Sequence, residues 1–291
     1  MKSFQHRWTA LRLLVVLLCL LSGASGCVAE EFSLDDCGQT CGDGPLFLVD
    51  RLEFVIDDSD GLDGFDIDGQ SEDCGSMDGT SPDGVSGIDN QFGAVWDVLP
   101  DAVTLTLPNA INTSLRDGSM MVVGELVGPP DFSVDGPAAI VFREGDGDVL
   151  IGANGRPLGG QTIDLRAEDN LLGLSDQAEI RDGILEGHDL EMTLRLTYLG
   201  TRLELPFVRG RVLASADGEG GVDMKLGGVV PLDAVMDIVL GLGGCGDAML
   251  GETLEALVPL LVDIRTRSDG ECDGISGALR AHAVPVYVFA P

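Results

Sequence analysis

Aspartates are concentrated in two neighbouring stretches of the chain, residues 57–69 and 81–90, where glycines and a few apolar residues separate them. Carboxylates this close together repel one another unless a cation lies between them. Calcium takes six to eight oxygen ligands, at about 2.4 Å, from flexible loops of this composition. We therefore expect calcium to bind these loops, together with an Asp/Gly-rich segment near the C-terminus. The candidate ligands are Asp58, Asp60, Asp63, Asp66, Asp68, Asp83, Asp89, Asp269 and Asp273.

The spacing of these aspartates does not match an EF-hand loop. With Gly274 at the hinge position, Asp269, Glu271 and Asp273 fill the first, third and fifth places, but Arg280 takes the twelfth place instead of a glutamate. The acidic loops are similar to those of thrombospondin type 3 and dockerin modules in composition only. Solvated turns that bind no ion are the alternative, because Asp-Gly forms a good turn without any ligand.

The N-terminus has the pattern of an export signal. Three basic residues precede an apolar run over 13–21, and small residues follow as far as Cys27. This run is much shorter than the roughly 20 apolar residues that a membrane-spanning helix needs. We therefore predict that residues 1–26 form a signal peptide.

The segment Ala24-Ser25-Gly26-Cys27 resembles the lipobox of bacterial lipoproteins. The resemblance implies that the Cys27 thiol is lipidated and that several acyl chains anchor the mature protein stably to a membrane. Val28 after the cysteine implies the outer membrane of the cell envelope, by the Gram-negative sorting rule. The alternative is ordinary cleavage after a small residue, with Cys27 left as a plain thiol.

Export would place the remaining cysteines in a compartment where disulfides persist. We expect Cys245 to pair with Cys272, because this bond would clamp the apolar segment 250–261, which has helical spacing. A zinc site is the rival interpretation, but no histidine lies near any of these cysteines. The pairing of the other three is left open: Cys37, Cys41 and Cys74.

Three kinds of catalytic site are the enzymatic alternatives. Residues 241–246 match the GxGxxG pattern of dinucleotide sites, but Pro259 falls where the next strand of a βαβ unit should form. Nucleophilic triads need a histidine, and beyond the N-terminal segment the chain has only His188 and His282, for which structural roles are the default. A hydrolytic carboxylate pair cannot be singled out among so many acids.

The composition excludes several classes of protein. With 17 basic and 49 acidic residues the formal net charge is −32, which repels phosphate backbones and argues against a nucleic-acid partner. Acidic chains are often disordered, but that outcome also requires low hydrophobicity. Here 44% of the residues are hydrophobic, which is enough for a sizeable core.

Short apolar runs predict a mostly β domain over residues 45–291, joined to the anchor by a flexible acidic tether over 27–44. The clearest strand is 190–198, where apolar and polar residues alternate, and a hairpin follows with 203–207. From Val103 onward the pattern favours short strands. We expect an antiparallel β-sandwich or open barrel with one or two short helices. Further strands are predicted at 46–56, 121–127, 138–142, 161–167 and 284–289, helices at 92–99 and 250–261, and a loop insertion at 57–90.

The segments 64–69, 81–90 and 269–276 look like those of Asp/Gly-rich secreted lipoproteins of myxobacteria. The likeness spans residues 46–291 and implies an envelope β protein, but it transfers no catalytic residue. The sequence thus favours a lipid-anchored, non-enzymatic binding or structural module with calcium-stabilised acidic loops. An exported hydrolase that uses a carboxylate pair is the runner-up.

Overall fold

The computed structural model describes residues 44–56, 62–69, 72–74, 76–99, 101–167, 170–198, 201–243, 256–267 and 270–288. The strands in these residues are β1 (Leu46–Phe54), β2 (Glu72–Asp73), β3 (Ser76–Met77), β4 (Gly79–Thr80), β5 (Ser86–Ile88), β6 (Val122–Val127), β7 (Gly136–Asp146), β8 (Gln161–Leu165), β9 (Leu171–Arg181), β10 (Ile184–Tyr198), β11 (Thr201–Ala216), β12 (Val222–Pro231) and β13 (Gly274–Val288). The helices are α1 (Phe92–Val98), α2 (Asp101–Asp117) and α3 (Leu232–Gly243).

Eight antiparallel strands form a closed barrel, so the prediction of a mostly β fold is confirmed, with the barrel closed rather than open. Around the barrel, β1 pairs with β6, β6 with β7 and β7 with β9. Strands β9 to β13 then follow in chain order, and β13 pairs back with β1. Closure leaves the barrel without an open sheet edge. The short strands β2 to β5 belong to the loop insertion between β1 and α1.

Alternation along the strands separates the core from the outer surface of the barrel. In β13, Leu279, Ala281 and Ala283 belong to the main hydrophobic core, whereas Arg280 is exposed and His282 is half-buried. Successive side chains of a strand point to opposite faces, so Arg280 and His282 lie on the outer face. The polar groups that carry the candidate chemistry are attached to this outer face.

The helix predicted at 92–99 is confirmed by α1, but the strands expected from Val103 onward are wrong for the first part of that region. Residues 101–117 form α2 instead, with Leu107, Ile111 and Leu115 buried at helical spacing. The side-chain amide of Asn112 accepts a hydrogen bond from the Leu52 backbone N–H (3.1 Å) and donates one to the Leu52 carbonyl (2.8 Å). This double contact fixes α2 against β1.

The GxGxxG segment does not follow a strand, because its first three residues are the last three of α3. The dinucleotide alternative therefore lacks the strand-to-helix turn that it requires. The first half of the helix predicted at 250–261 lies outside the described residues. Its last four residues form a 3₁₀ turn, Val258–Leu261, with Pro259 near its start. Within the described residues, no helix is long and apolar enough to cross a membrane.

Candidate metal centre

The loop insertion packs against the outer face of the barrel through Phe65, which is buried. Its ring lies over Gly227 of β12, where a Cβ atom would come within 2.5 Å of the ring. Lys225 Nζ lies 4.9 Å from the ring centroid and Arg211 Cζ lies 5.7 Å from it, so two cations contact the aromatic ring. A glycine on the barrel and an aromatic residue in the loop thus form one anchor point.

Ion pairs fix the start of the same loop. The Asp63 carboxylate accepts hydrogen bonds from Lys225 Nζ (2.9 Å) and from Arg280 Nη2 (2.6 Å). Burial acts to raise the pKa of Asp63, but the bonds from Lys225 and Arg280 prevail and lower the pKa. Asp63, a predicted calcium ligand, is therefore paired with cations of β12 and β13 and is not part of the carboxylate cluster described below.

The end of the loop is fixed by Asn90, which is buried. Its side-chain N–H donates to the backbone carbonyls of Val55 (3.1 Å) and Asp63 (2.8 Å). One amide thus joins both ends of the insertion and the end of β1.

A disulfide ties the middle of the loop to the segment that leads into β13. Cys74, between β2 and β3, is bonded to Cys272. The predicted Cys245–Cys272 pair is therefore wrong, because Cys272 already has another partner. Cys245 lies outside the described residues. The observed bond joins residues 198 positions apart, a separation over which no local sequence pattern indicates a pairing.

Three of the predicted ligands converge. Asp66, Asp68 and Asp89 each offer one carboxylate oxygen, and these oxygens all lie within 4.8 Å of one another. An isolated antiparallel bridge between Phe65 and Asp89 brings the two acidic stretches together. Asp89 of the second acidic stretch thus lies beside Asp66 and Asp68 of the first.

Backbone hydrogen bonds orient two of the three carboxylates. The Ile67 N–H donates to Asp89 Oδ2 (2.6 Å), and the Gly69 N–H donates to Asp66 Oδ1 (2.7 Å). Gly69 has a φ of +75°, a conformation that favours glycine. The loop tip over 66–69 is therefore folded around the buried carboxylate of Asp89.

Asp89 lies in an environment that opposes its ionisation. Burial, together with the negative charges of Asp78, Asp68 and Asp263, raises the pKa of Asp89 to about 8, although the hydrogen bond from Ile67 acts in the opposite direction. Asp89 is only 3% exposed. A carboxyl group held this way keeps a proton at neutral pH unless a cation replaces that proton.

Asp263 extends the acidic region on the barrel side. Burial, with a further contribution from Asp78, raises its pKa to about 6, while two hydrogen bonds from Ser276 act to lower it. The Ser276 N–H donates to Asp263 Oδ1 at 2.8 Å, and the Ser276 hydroxyl donates to the other oxygen. One carboxylate oxygen of Asp78 is also shielded from solvent. The sequence analysis did not predict Asp78 or Asp263 as metal ligands, because neither lies within the two densest acidic stretches.

The other predicted ligands have different surroundings. Asp83 accepts a hydrogen bond from the Ser81 hydroxyl within a turn. Asp273 accepts bonds from the N–H and the hydroxyl of Thr266, both at 2.8 Å. Neither belongs to the cluster of three. The remaining predicted ligands lie outside the described residues: Asp58, Asp60 and Asp269.

The geometry of the cluster fits one cation of the size of calcium. Oxygens bound to the same calcium ion at about 2.4 Å lie at most about 4.8 Å apart, since opposite ligands are separated by twice the metal–oxygen distance. The oxygens of Asp66, Asp68 and Asp89 meet this limit. Three carboxylates supply part of the six to eight ligands that calcium takes, and backbone carbonyls and water complete such sites in general.

A comparison of the chain with protein-family models, with curated proteins and with solved structures finds no match. Function must therefore be inferred from the site and its surroundings.

Proposed function

We propose that this protein is a non-enzymatic module of the cell envelope whose acidic loop is ordered by calcium bound between Asp66, Asp68 and Asp89. The observation that carries the proposal is the convergence of three carboxylate oxygens within 4.8 Å. One of the three, Asp89, is almost completely buried. A divalent cation at this point would offset the repulsion among the carboxylates and would add bonds between the two halves of the loop.

The envelope location rests on the N-terminal sequence. In this proposal residues 1–26 are removed on export, Cys27 is lipidated, and the barrel is displayed from the outer membrane through the tether over 27–44. These residues lie outside the part of the chain that the structure describes. The net charge of −32 supports an anchor made of acyl chains, because such a surface is repelled by anionic lipids.

The surroundings of the cluster favour a binding or structural role over hydrolysis. Hydrolysis by a carboxylate pair needs a cleft that admits the substrate between the two groups. Five of the best-formed cavities among the described residues are not lined by Asp66, Asp68 or Asp89. Instead Asp66 and Asp68 lie at the loop tip beside the buried Asp89, and the loop is tied to the barrel by a disulfide and by Phe65.

Calcium titration of the full mature protein tests the proposal. Calcium should raise the melting temperature and EDTA should lower it, because an ion that binds only the folded form adds about 2.7 kcal/mol at a hundredfold excess over Kd. Magnesium should stabilise the protein less, since it demands a stricter octahedron and gives up water reluctantly. Isothermal titration calorimetry measures the stoichiometry, and we expect one ion per chain at this site.

Matched substitutions locate the bound ion. Asp66→Asn combined with Asp68→Asn should abolish most of the calcium-induced rise in melting temperature. The control is Asp164→Asn in β8, an exposed aspartate outside the cluster, which should melt like the parent protein in both conditions. Identical melting curves in calcium and EDTA for the parent protein would refute calcium binding. A rise that survives in the double variant would move the ion to another site.

A further inference from the structure

A second group of ionisable side chains lies on the outer face of the barrel and is independent of the metal centre. His282 of β13 places Nδ1 2.6 Å from Asp50 Oδ1 and Nε2 3.0 Å from Asp217 Oδ2. The three side chains are 16%, 1% and 14% exposed, in that order. One imidazole therefore joins β1, β13 and the turn between β11 and β12.

Local backbone features place each of the three groups. A bulge in β1 sets both Asp50 and Arg51 opposite His282, and the extra residue turns its carboxylate toward the imidazole. Asp217 begins the β11–β12 turn, and its other oxygen accepts the backbone N–H groups of Glu219 (2.7 Å) and Gly221 (2.8 Å). Asp217 thus organises the turn and contacts the histidine at the same time.

Close approach of the turn requires Gly221. A Cβ atom at this position would lie 2.6 Å from Asp217 Oδ2 and 2.9 Å from His282 Nε2. A side chain there would displace the contact between Asp217 and His282. The turn therefore fits closely around this histidine.

The number of hydrogen bonds that the His282 ring must donate determines its protonation state. A neutral imidazole has one N–H group, whereas an imidazolium has two. Both ring nitrogens of His282 face carboxylate oxygens, so both can donate only when the ring is protonated. We propose that the protonation state of His282 controls the β11–β12 turn, which is held to the barrel by the imidazolium and released when the ring loses a proton.

Burial decides which contact is lost. Asp50 is 1% exposed, so leaving its carboxylate without a donor would cost more than leaving Asp217, which keeps two backbone donors. The single N–H of the neutral ring therefore stays on Nδ1, toward Asp50. The Nε2 lone pair then faces the Asp217 carboxylate, and the two repel each other.

Neighbouring charges favour the protonated ring. Burial acts to lower the pKa of His282, but the hydrogen bonds to Asp50 and Asp217 and the negative charge of Asp223 raise it above its ordinary value of 6.5. The stability that these contacts contribute is present below pH 6.5 and is lost as the pH rises through the folded-state pKa. The charged groups around the ring are Asp50 and Arg51 of β1, Asp223 of β12, Asp217 of the turn and Arg280 of β13.

Two measurements on the intact protein test this switch. A nuclear magnetic resonance titration of the His282 ring should give a midpoint above 6.5. Amide hydrogen exchange at Glu219 and Gly221, corrected for intrinsic pH dependence, should accelerate about tenfold or more as the pH passes this midpoint, because a turn that has lost its contact with His282 opens more often. The Gly155 amide, which donates to Gly152 in another turn, serves as the internal control.

Variants separate a switch from a merely structural histidine. His282→Gln should leave the Glu219 and Gly221 amides fast at every pH, whereas Asp217→Asn should lower the His282 midpoint toward 6.5. His188→Gln is the matched control, since His188 is half-exposed and its ring lies 3.6 Å from Glu186. A midpoint at or below 6.5 in the parent protein would overturn the proposal. Exchange rates at Glu219 and Gly221 that stay constant across the midpoint would also overturn it. Both measurements use the parent protein, so they remain decisive if a variant fails to fold.

Discussion

Replacing either member of the Cys74–Cys272 disulfide with serine should destabilise the protein strongly. The bond joins residues 198 positions apart. In the chain-entropy model, closing a ring of this size removes about 18 cal/mol/K from the unfolded chain, which corresponds to about 5 kcal/mol at 25 °C. The alternative Cys245–Cys272 bond would close a ring of about 27 residues and contribute about 3.5 kcal/mol. The two pairings therefore differ in magnitude and in the residues that matter.

Guanidinium unfolding under non-reducing conditions distinguishes the pairings. Cys74→Ser, Cys272→Ser and the double variant should lose similar amounts of unfolding free energy, up to about 5 kcal/mol, because each removes the same bond. Cys245→Ser is the matched control and should change stability much less. A Cys74→Ser protein as stable as the parent, combined with a destabilised Cys245→Ser protein, would refute the observed pairing. Non-reducing peptide mapping should recover Cys74 and Cys272 in one linked peptide pair.

Two further predictions follow from the anchor and from the buried carboxyl. A carbonate wash of the membranes should release the Cys27→Ser variant into the soluble fraction, because the acyl chains supply the membrane affinity in our proposal. Retention of the variant in the washed membranes would contradict the lipid anchor. In EDTA the protein should lose stability as the pH rises from about 4 to about 8, because Asp89 keeps its proton in the folded state up to about pH 8 but ionises near 3.8 when unfolded. This contribution is fully present below about pH 3.8. Asp89→Asn mimics the protonated form and should flatten the pH dependence of stability over this range, measured by thermal melting. An unchanged pH dependence in this variant would show that Asp89 is not the group responsible.

The strands were predictable where one face of the sheet is buried and the other is wet. The alternation over 190–198 and 203–207 predicted a hairpin, and β10 and β11 pair in this register, with Leu194 opposite Leu205. Each strand of a closed barrel needs an apolar inner face, so the period of two is visible in the sequence. The closure itself was not predictable, because it depends on the pairing of β7 with β9 and of β1 with β13.

Helix α2 shows how tertiary packing overrides local propensity. Val103, Leu105 and Leu107 alternate with threonines, a pattern typical of a strand. In the folded chain Leu107 is buried, whereas Leu105 is 69% exposed. The segment also carries a helical period in Leu107, Ile111 and Leu115, and packing of the helix against β1 and β10 selects this period over the strand pattern of 103–107.

The candidate site was predictable only in part, for the same reason. Dense aspartates at Asp66, Asp68 and Asp89 indicated a cation site, because their repulsion can be deduced from their spacing alone. Asp263 acts on Asp89 from a position 174 residues away, and Cys272 bonds Cys74 across 198 residues. His282 likewise meets Asp50 from a position 232 residues away. Residues such as Asp263, Cys272 and His282 meet their partners only when the barrel closes. The sequence around each of them therefore does not indicate which residue it will contact.

The distribution of basic side chains around the loop explains why we propose an external ion at the loop tip and not at the loop base. At the base, Lys225 and Arg280 both bond the Asp63 carboxylate. Arg211 approaches the tip, but its Nη1 donates to the backbone carbonyl of Asp66 (2.9 Å) and its Nη2 donates to the Glu186 carboxylate.

Lys225, Arg280 and Arg211 therefore attach the loop to the barrel. They do not remove the electrostatic repulsion at Asp89, whose pKa remains raised. A proton or a metal ion can offset that repulsion, and the two compete for the same carboxylate. At neutral pH the proton satisfies Asp89 alone, whereas a calcium ion in the proposed site would contact Asp66 and Asp68 as well, since the three carboxylate oxygens lie within 4.8 Å of one another. The calcium form is for this reason expected to hold the loop tip more firmly than the protonated form.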